Sequence, residues 1–216
     1  YVRGASAARD TLQQIEAAGA KGLCLQGDVG SEADVIRNFE SAAQAFGGLD
    51  GVVINAGIVA PAMTLADMSV ERLETMFRTN VLGSYLCARE AVRHLSNKAG
   101  GRGGAIVNVS SLAAKTGSPG EYVDYAGAKA AMDTLTVGLA REAGPLGIRV
   151  NAVRPAFIDT EIHATSGNPE RARILGRQTP LGREGTAGEV AEAIVWLLSD
   201  AASYVTGALV DVAGGR

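Results

Sequence analysis

Five short apolar runs punctuate this chain, and helical patterns fill the intervals between them. The runs are Lys21–Gln26, Leu49–Ile54, Ala105–Ser110, Ile148–Val153 and Ala208–Val212. Strands separated by helices are not joined as tight hairpins; they run parallel, with the crossover helices packed on the sheet. Runs this apolar suit a sheet covered on both faces. The reading is an α/β fold with a doubly wound parallel sheet, a three-layer α/β/α arrangement, forming a single domain over 1–216.

Helix signals agree with that layout. Ala8, Leu12 and Ile15 give Ala5–Ala18 a helical stripe, and Gly19 stops it. Ser31 with Asp34 resembles a capping box with a shortened acid, opening a helix that ends at Gly47-Gly48. Ser69 is a good N-cap for a helix reaching about His94. A helix beginning near Tyr125 ends at about Ala143, because Pro145 cannot continue it. Thr186 and Glu189 form a second capping box. Between them, 160–183 is polar and poorly periodic, which marks a candidate substrate lid.

In open parallel sheets ligands bind beyond the carboxyl ends of the strands. Those ends carry Asp28, Asn55-Ala56-Gly57, Ser110-Ser111 and Arg154-Pro155. Directly after them, Tyr125 and Lys129 share one helix face four residues apart. A phenol titrates near 10, too high for proton exchange at neutral pH. A positive charge about 4 Å away is worth about 4 kcal/mol at an effective dielectric near 20, enough to draw that phenol toward neutrality. Tyr125 is therefore the candidate general acid–base. A tyrosine beside a solvated lysine is also an ordinary helix pair, and the neighbouring serines decide between the two readings. Ser110 competes with Ser111, and strand alternation favours Ser111.

Charge and cysteine usage narrow the field. The net charge of −3 is mixed along the chain, with no basic block for nucleic acid. No run has the length of a membrane span. Cys24 and Cys87 lack metal-ligand spacing and read as buried hydrophobes in a reducing, cytoplasmic setting. His94 and His163 are isolated, so neither a metal site nor a histidine triad is expected.

Taken together, these motifs resemble the classical short-chain dehydrogenase/reductase family, with the closest likeness to glucose-dehydrogenase-like and 3-oxoacyl-carrier-protein-reductase-like members. Ser111, Tyr125 and Lys129 match its catalytic serine and Tyr-x-x-x-Lys. Asn80, in Thr79-Asn80-Val81-Leu82-Gly83, matches its fourth catalytic residue. Asn55-Ala56-Gly57, Pro155–Thr160 (PAFIDT) and Tyr204-Val205-Thr206-Gly207 match further segments in order. The resemblance implies a Rossmann-type sheet and an NAD(P)-dependent oxidoreductase moving hydride between nicotinamide and a carbonyl or secondary alcohol. Tyr125 would pass the proton, Lys129 would tune it and hold the nicotinamide ribose, Ser111 would hold the substrate oxygen, and Asn80 would support a water relay. Asp28, Val29, Asn55, Ala56 and Gly57 would contact the adenine half, with Pro155, Ile158 and Thr160 at the nicotinamide. Two departures are mild: Ile54 stands for a first asparagine, and Ala156 for a glycine.

The resemblance carries further expectations. The family opens with a strand, a Gly-rich phosphate turn, a helix and a second strand, none of which occurs here. The biological protein is expected to carry that unit, and an active protein with an intact mass near 22 kDa would contradict this. Arg3 follows the position that selects the nucleotide. It either pairs with a 2′-phosphate or is a solvated helix-entry charge, and the opening Tyr-x-Arg favours NADP over NAD. The helices holding Leu82–His94 and Tyr125–Ala143 are rich in Ala and Gly, and relatives form homotetramers or homodimers. The partner is a small carbonyl or alcohol substrate, with no nucleic acid and no membrane. A non-catalytic dinucleotide-binding regulator is the alternative. A sugar-nucleotide epimerase fits less well, because a larger C-terminal substrate domain would accompany it.

Overall fold

The computed structural model describes residues 1–162 and 166–216. Four parallel strands form its main sheet: β1 (Gly51–Ile54), β2 (Gly104–Val109), β3 (Ile148–Pro155) and, last in the chain, β6 (Leu209–Val212). They lie in the order β1-β2-β3-β6. Their register aligns Ile54 with Asn108, Val109 with Val153, and Pro155 with Val212, so the carboxyl ends finish together. A two-residue pair, β4 (Ile158–Asp159) with β5 (Gly185–Thr186), sits beyond them.

Helices cover both faces. On one side α4 (Gly83–Leu95) and α6 (Val123–Ala143) bury Ala88, Leu95 and Met132 against Ile106, Ile148 and Val150. On the other, α8 (Ala187–Leu198) packs Val190 and Leu197 on Val107 and Val153. Ile106 and Val107 thus point to opposite layers, as pleat alternation requires. The remaining α-helices among the described residues are α1 (Ala5–Ala17), α2 (Glu32–Phe46), α3 (Val70–Phe77), α5 (Ala113–Thr116) and α7 (Arg171–Gly176).

Local signals fared unequally. Ser69 caps α3 by accepting from the Arg72 amide at 3.3 Å, and Thr186 with Glu189 forms a complete capping box on α8. At Ser31 no side-chain cap forms. The Asp34 carboxylate instead accepts from the Asp28 amide at 3.0 Å and pairs with Arg37 at 2.6 Å. Lys21–Gln26, expected as a strand, forms none, because a strand needs a ladder. Its backbone meets no strand: the Leu25 carbonyl accepts from the Tyr1 amine at 2.9 Å, the Gln26 carbonyl from Arg37 at 3.0 Å, and the adjoining Gly27 amide donates to the Tyr1 carbonyl at 2.9 Å. The helix expected from Ser69 to about His94 forms from Val70 to Leu95 and carries a π-turn over Arg78–Leu82. In the expected lid, His163–Thr165 lie outside the described residues. Among the described residues no helix is long and apolar enough to cross a membrane, and no acid, cysteine and histidine cluster could hold a metal.

Candidate active site

The aligned strand ends open into a cleft of about 650 Å³. β1 delivers Asn55 and Gly57 to it, β2 delivers Ser110 and Ser111, and β3 delivers Pro155. The two serines divide cleanly. Ser110 is buried and donates to the Lys129 carbonyl at 3.2 Å, so it ties β2 to α6. The Ser111 hydroxyl accepts from the Ala113 amide at 3.1 Å and lies close enough to the Tyr125 phenol to favour its ionised form. Alternation along β2 thus places Ser111 beside the tyrosine.

Lys129 is 3% exposed, and its Nζ donates to the Val109 carbonyl at 2.7 Å while lying 5.7 Å from the centre of the Tyr125 ring. Burial brings its pKa down to about 8, with the Asp133 carboxylate, one turn along α6, pulling the other way. Burial pushes the Tyr125 phenol up, and the Ser111 hydroxyl offsets only part of that. This corrects the expectation of a tyrosine drawn toward neutrality. Taking a phenolate out of water costs more than the neighbouring Ser111 hydroxyl returns. Tyr125 is therefore a neutral phenol at ordinary pH, a proton donor first.

Asn80 occupies the π-turn and is fully buried. Its side chain grips the loop after β1, accepting from the Ile58 amide and donating to the Ile58 carbonyl, both at 2.8 Å. A π-turn widens the helix by one residue and recurs at functional sites. Here its effect is to aim Asn80 at the loop while its own carbonyl accepts from Ser84 at 2.8 Å. Gly57 lies between Asn80 and Lys129. A methyl added there would sit 3.0 Å from Asn80 Oδ1 and 3.5 Å from Lys129 Nζ. The absence of a side chain at Gly57 lets the backbone pass close to both groups.

The other expected cofactor residues fall in two groups. Asn55, Gly57, Pro155, Ile158 and Thr160 line the cleft with Tyr125 and Lys129. Arg3, Asp28, Val29 and Ala56 do not. Asp28 accepts from the Gly30 amide at 2.8 Å, an Asx-type turn that shapes its own loop. Val29 packs on the first turn of α4, where a Cβ on Gly83 would come within 2.7 Å of it. Arg3 is exposed next to Val2, whose carbonyl accepts from Gln26 at 3.2 Å.

Two ion pairs at the site had no local sequence signal. Arg72 holds the buried Asp124 at 2.8 and 3.2 Å and also donates to the Pro61 carbonyl at 2.6 Å, fixing the turn of α6 that bears Tyr125. Arg171 pairs with Glu121 at 2.7 and 2.6 Å. Glu121, Tyr122, Arg171 and Leu175 all line the cleft, the last two from within the stretch 160–183.

Comparison with known proteins follows the same lines. A family model described as Enoyl-(Acyl carrier protein) reductase matches residues 1–216. The uncharacterized oxidoreductase YgfF of Escherichia coli (strain K12) is 50% identical over 216 residues, spanning 100% of this chain and 87% of the relative. A cis-4-hydroxycyclohexanecarboxylate dehydrogenase of Sinomonas cyclohexanicum is 40% identical over 211 residues, spanning 98% and 83%. The crystal structure of a 3-ketoacyl-(acyl-carrier-protein) reductase from Brucella melitensis, complexed with NADH, superposes with a TM-score of 0.87 at 32% identity. That match covers 97% of this chain and 83% of that one.

Proposed function

The chain belongs to the short-chain dehydrogenase/reductase family, and from that premise we propose how its cleft divides the work. It is an NAD(P)-dependent oxidoreductase acting on alcohol and carbonyl groups. The nicotinamide, when bound, supplies or accepts the hydride. In reduction, the neutral Tyr125 phenol gives its proton to the carbonyl oxygen, which Ser111 holds where negative charge develops. Lys129 places a positive charge behind the phenol and bonds the ribose past Gly57. Asn80 keeps the loop after β1 in register with Lys129. The convergence of Ser111, Tyr125 and Lys129 on one wall of the cleft is the observation that carries this reading.

Four finer readings belong with it. NADP is preferred over NAD, supported by the exposed Arg3 beside residues 25–27. The substrate is a small secondary alcohol or its ketone, borne on a ring. Apolar lining from Leu112, Val190 and Ile194 and the name of the 40% identical relative support that class. The protein is a homotetramer or homodimer through α4 and α6, supported by exposed Tyr85 on α4 and Val123 on α6, with Phe77 and Leu82 exposed on the adjoining α3 and π-turn. Its setting is cytoplasmic, in keeping with two free cysteines, Cys87 having a thiol raised to about 11 and so inert.

A panel of cyclic ketones, open-chain ketones, sugars, steroids and acyl thioesters, read by absorbance of the reduced nicotinamide, tests this. The expected result is turnover of cyclic ketones with the lower KM for NADPH; consumption of no nucleotide with any of them refutes the function. Light scattering should give a dimer or tetramer mass, and a monomer mass contradicts the assembly.

A further inference from the structure

We propose that Glu121 and Arg171 form a clasp across the substrate end of the cleft, holding α7 against the entry to α6 and setting how firmly substrate is retained. The two residues sit on different walls. Glu121 lies in the turn before α6, four residues from Tyr125, and its backbone carbonyl accepts from the Met63 amide at 3.1 Å. The Arg72–Asp124 pair fixes the first turn of α6 directly after it. That wall is rigid.

The other wall is not anchored in the same way. At its C-terminal end α7 is seated closely: a Cβ on Gly176 would lie 2.3 Å from the Glu184 amide nitrogen. Thr179 stitches that end further, its hydroxyl meeting the Gly176 carbonyl at 2.8 Å and the Arg183 carbonyl at 3.2 Å. Farther along, Ile174 is 51% exposed and adds little apolar hold. The Arg173–Glu170 pair stays within its own segment and ties nothing across the cleft. At the N-terminal end the Arg171 guanidinium reaches the opposite wall, with two parallel bonds to one carboxylate and its carbon 5.1 Å from the Tyr122 ring centre. Forked pairs of this kind fix direction as well as distance, and the aromatic face adds to them. The Arg171 side chain is 17% exposed and that of Glu121 39%, so the guanidinium is shielded while solvent and salt still reach the carboxylate. α7 is thus a short helix hinged at Gly176 and latched at Arg171, with both latch residues on the cleft wall.

The clasp acts through α7 on substrate, so Glu121 and Arg171 are positioning residues. The test uses Glu121→Gln, Arg171→Gln and the charge-swapped Glu121→Arg/Arg171→Glu. Hydrogen exchange of the α7 amides should quicken about fivefold in each single variant, with α8 unchanged, and slow again in the swap. With a substrate from the panel, KM should rise about fivefold while kcat stays within about twofold, again reversed by the swap. Native KM should climb with added salt, and KM of the single variants should not. Unchanged α7 exchange in Glu121→Gln overturns the clasp. A swapped protein as loose as the single variants overturns it too, since shape rather than charge would then be responsible. Faster exchange at native KM removes its role in retention. The KM arm rests on the oxidoreductase reading; the exchange arm does not, so a protein that turns over nothing still decides the clasp.

Discussion

Replacing Lys129 with methionine should lower kcat/KM for carbonyl reduction by about 10³-fold and at the same time make the protein more stable at pH 7. The two effects have one cause. Lys129 is 3% exposed, and its pKa falls from the ordinary 10.5 to about 8. The folded state thus disfavours the ammonium, and its destabilising contribution is fully present below about 8 and vanishes as pH rises toward 10.5. That contribution is about 3 kcal/mol. Methionine removes it but strands the Val109 carbonyl, which costs about 1–2 kcal/mol. A net gain of about 1–2 kcal/mol should appear in urea titration at pH 7. It should shrink above about pH 8, where the native lysine begins to lose its charge. An active, destabilised variant would show that Lys129 is part of the packing and nothing more.

The same pKa predicts the shape of the native pH profile. Carbonyl reduction needs a protonated Tyr125 and a charged Lys129. Because burial raises the tyrosine and lowers the lysine, both conditions hold together below about 8. The kcat/KM for reduction should be level up to there and decline above it, and the methionine variant should lack that limb.

Much of this arrangement was legible in the chain because it is local. The alternation of apolar runs with helices gave the layers, and the Thr186–Glu189 box needs only three residues of spacing. Tyr125 and Lys129 are one turn apart, and strand alternation alone favours Ser111 over Ser110. What escaped depends on distance or on burial. Arg72 and Asp124 are separated by 52 residues, Glu121 and Arg171 by 50, and no periodicity announces either pair. Residues 21–26 had a strand's composition, but a strand is made by its neighbour, and Leu23 stays 44% exposed. The Ser31–Asp34 box failed because Asp34 had a better use in the Asp28 turn. The tyrosine's direction was misjudged for a related reason: spacing reveals the charge next door but not the water taken away.

Tyr125→Phe removes one oxygen and the proton it carries. The ring still fills its place on α6, and Ser111 keeps its bond from the Ala113 amide. The Lys129 ammonium keeps the Val109 carbonyl, so the nucleotide site should survive intact. The decisive measurement is a single turnover, mixing enzyme loaded with reduced nicotinamide against a ketone it accepts, with nucleotide affinity determined separately. The account predicts oxidation slowed by at least about 10³-fold in Tyr125→Phe, with nucleotide Kd within about twofold of native. Equal rates in the two proteins would contradict it, because the proton would then be arriving from somewhere other than Tyr125.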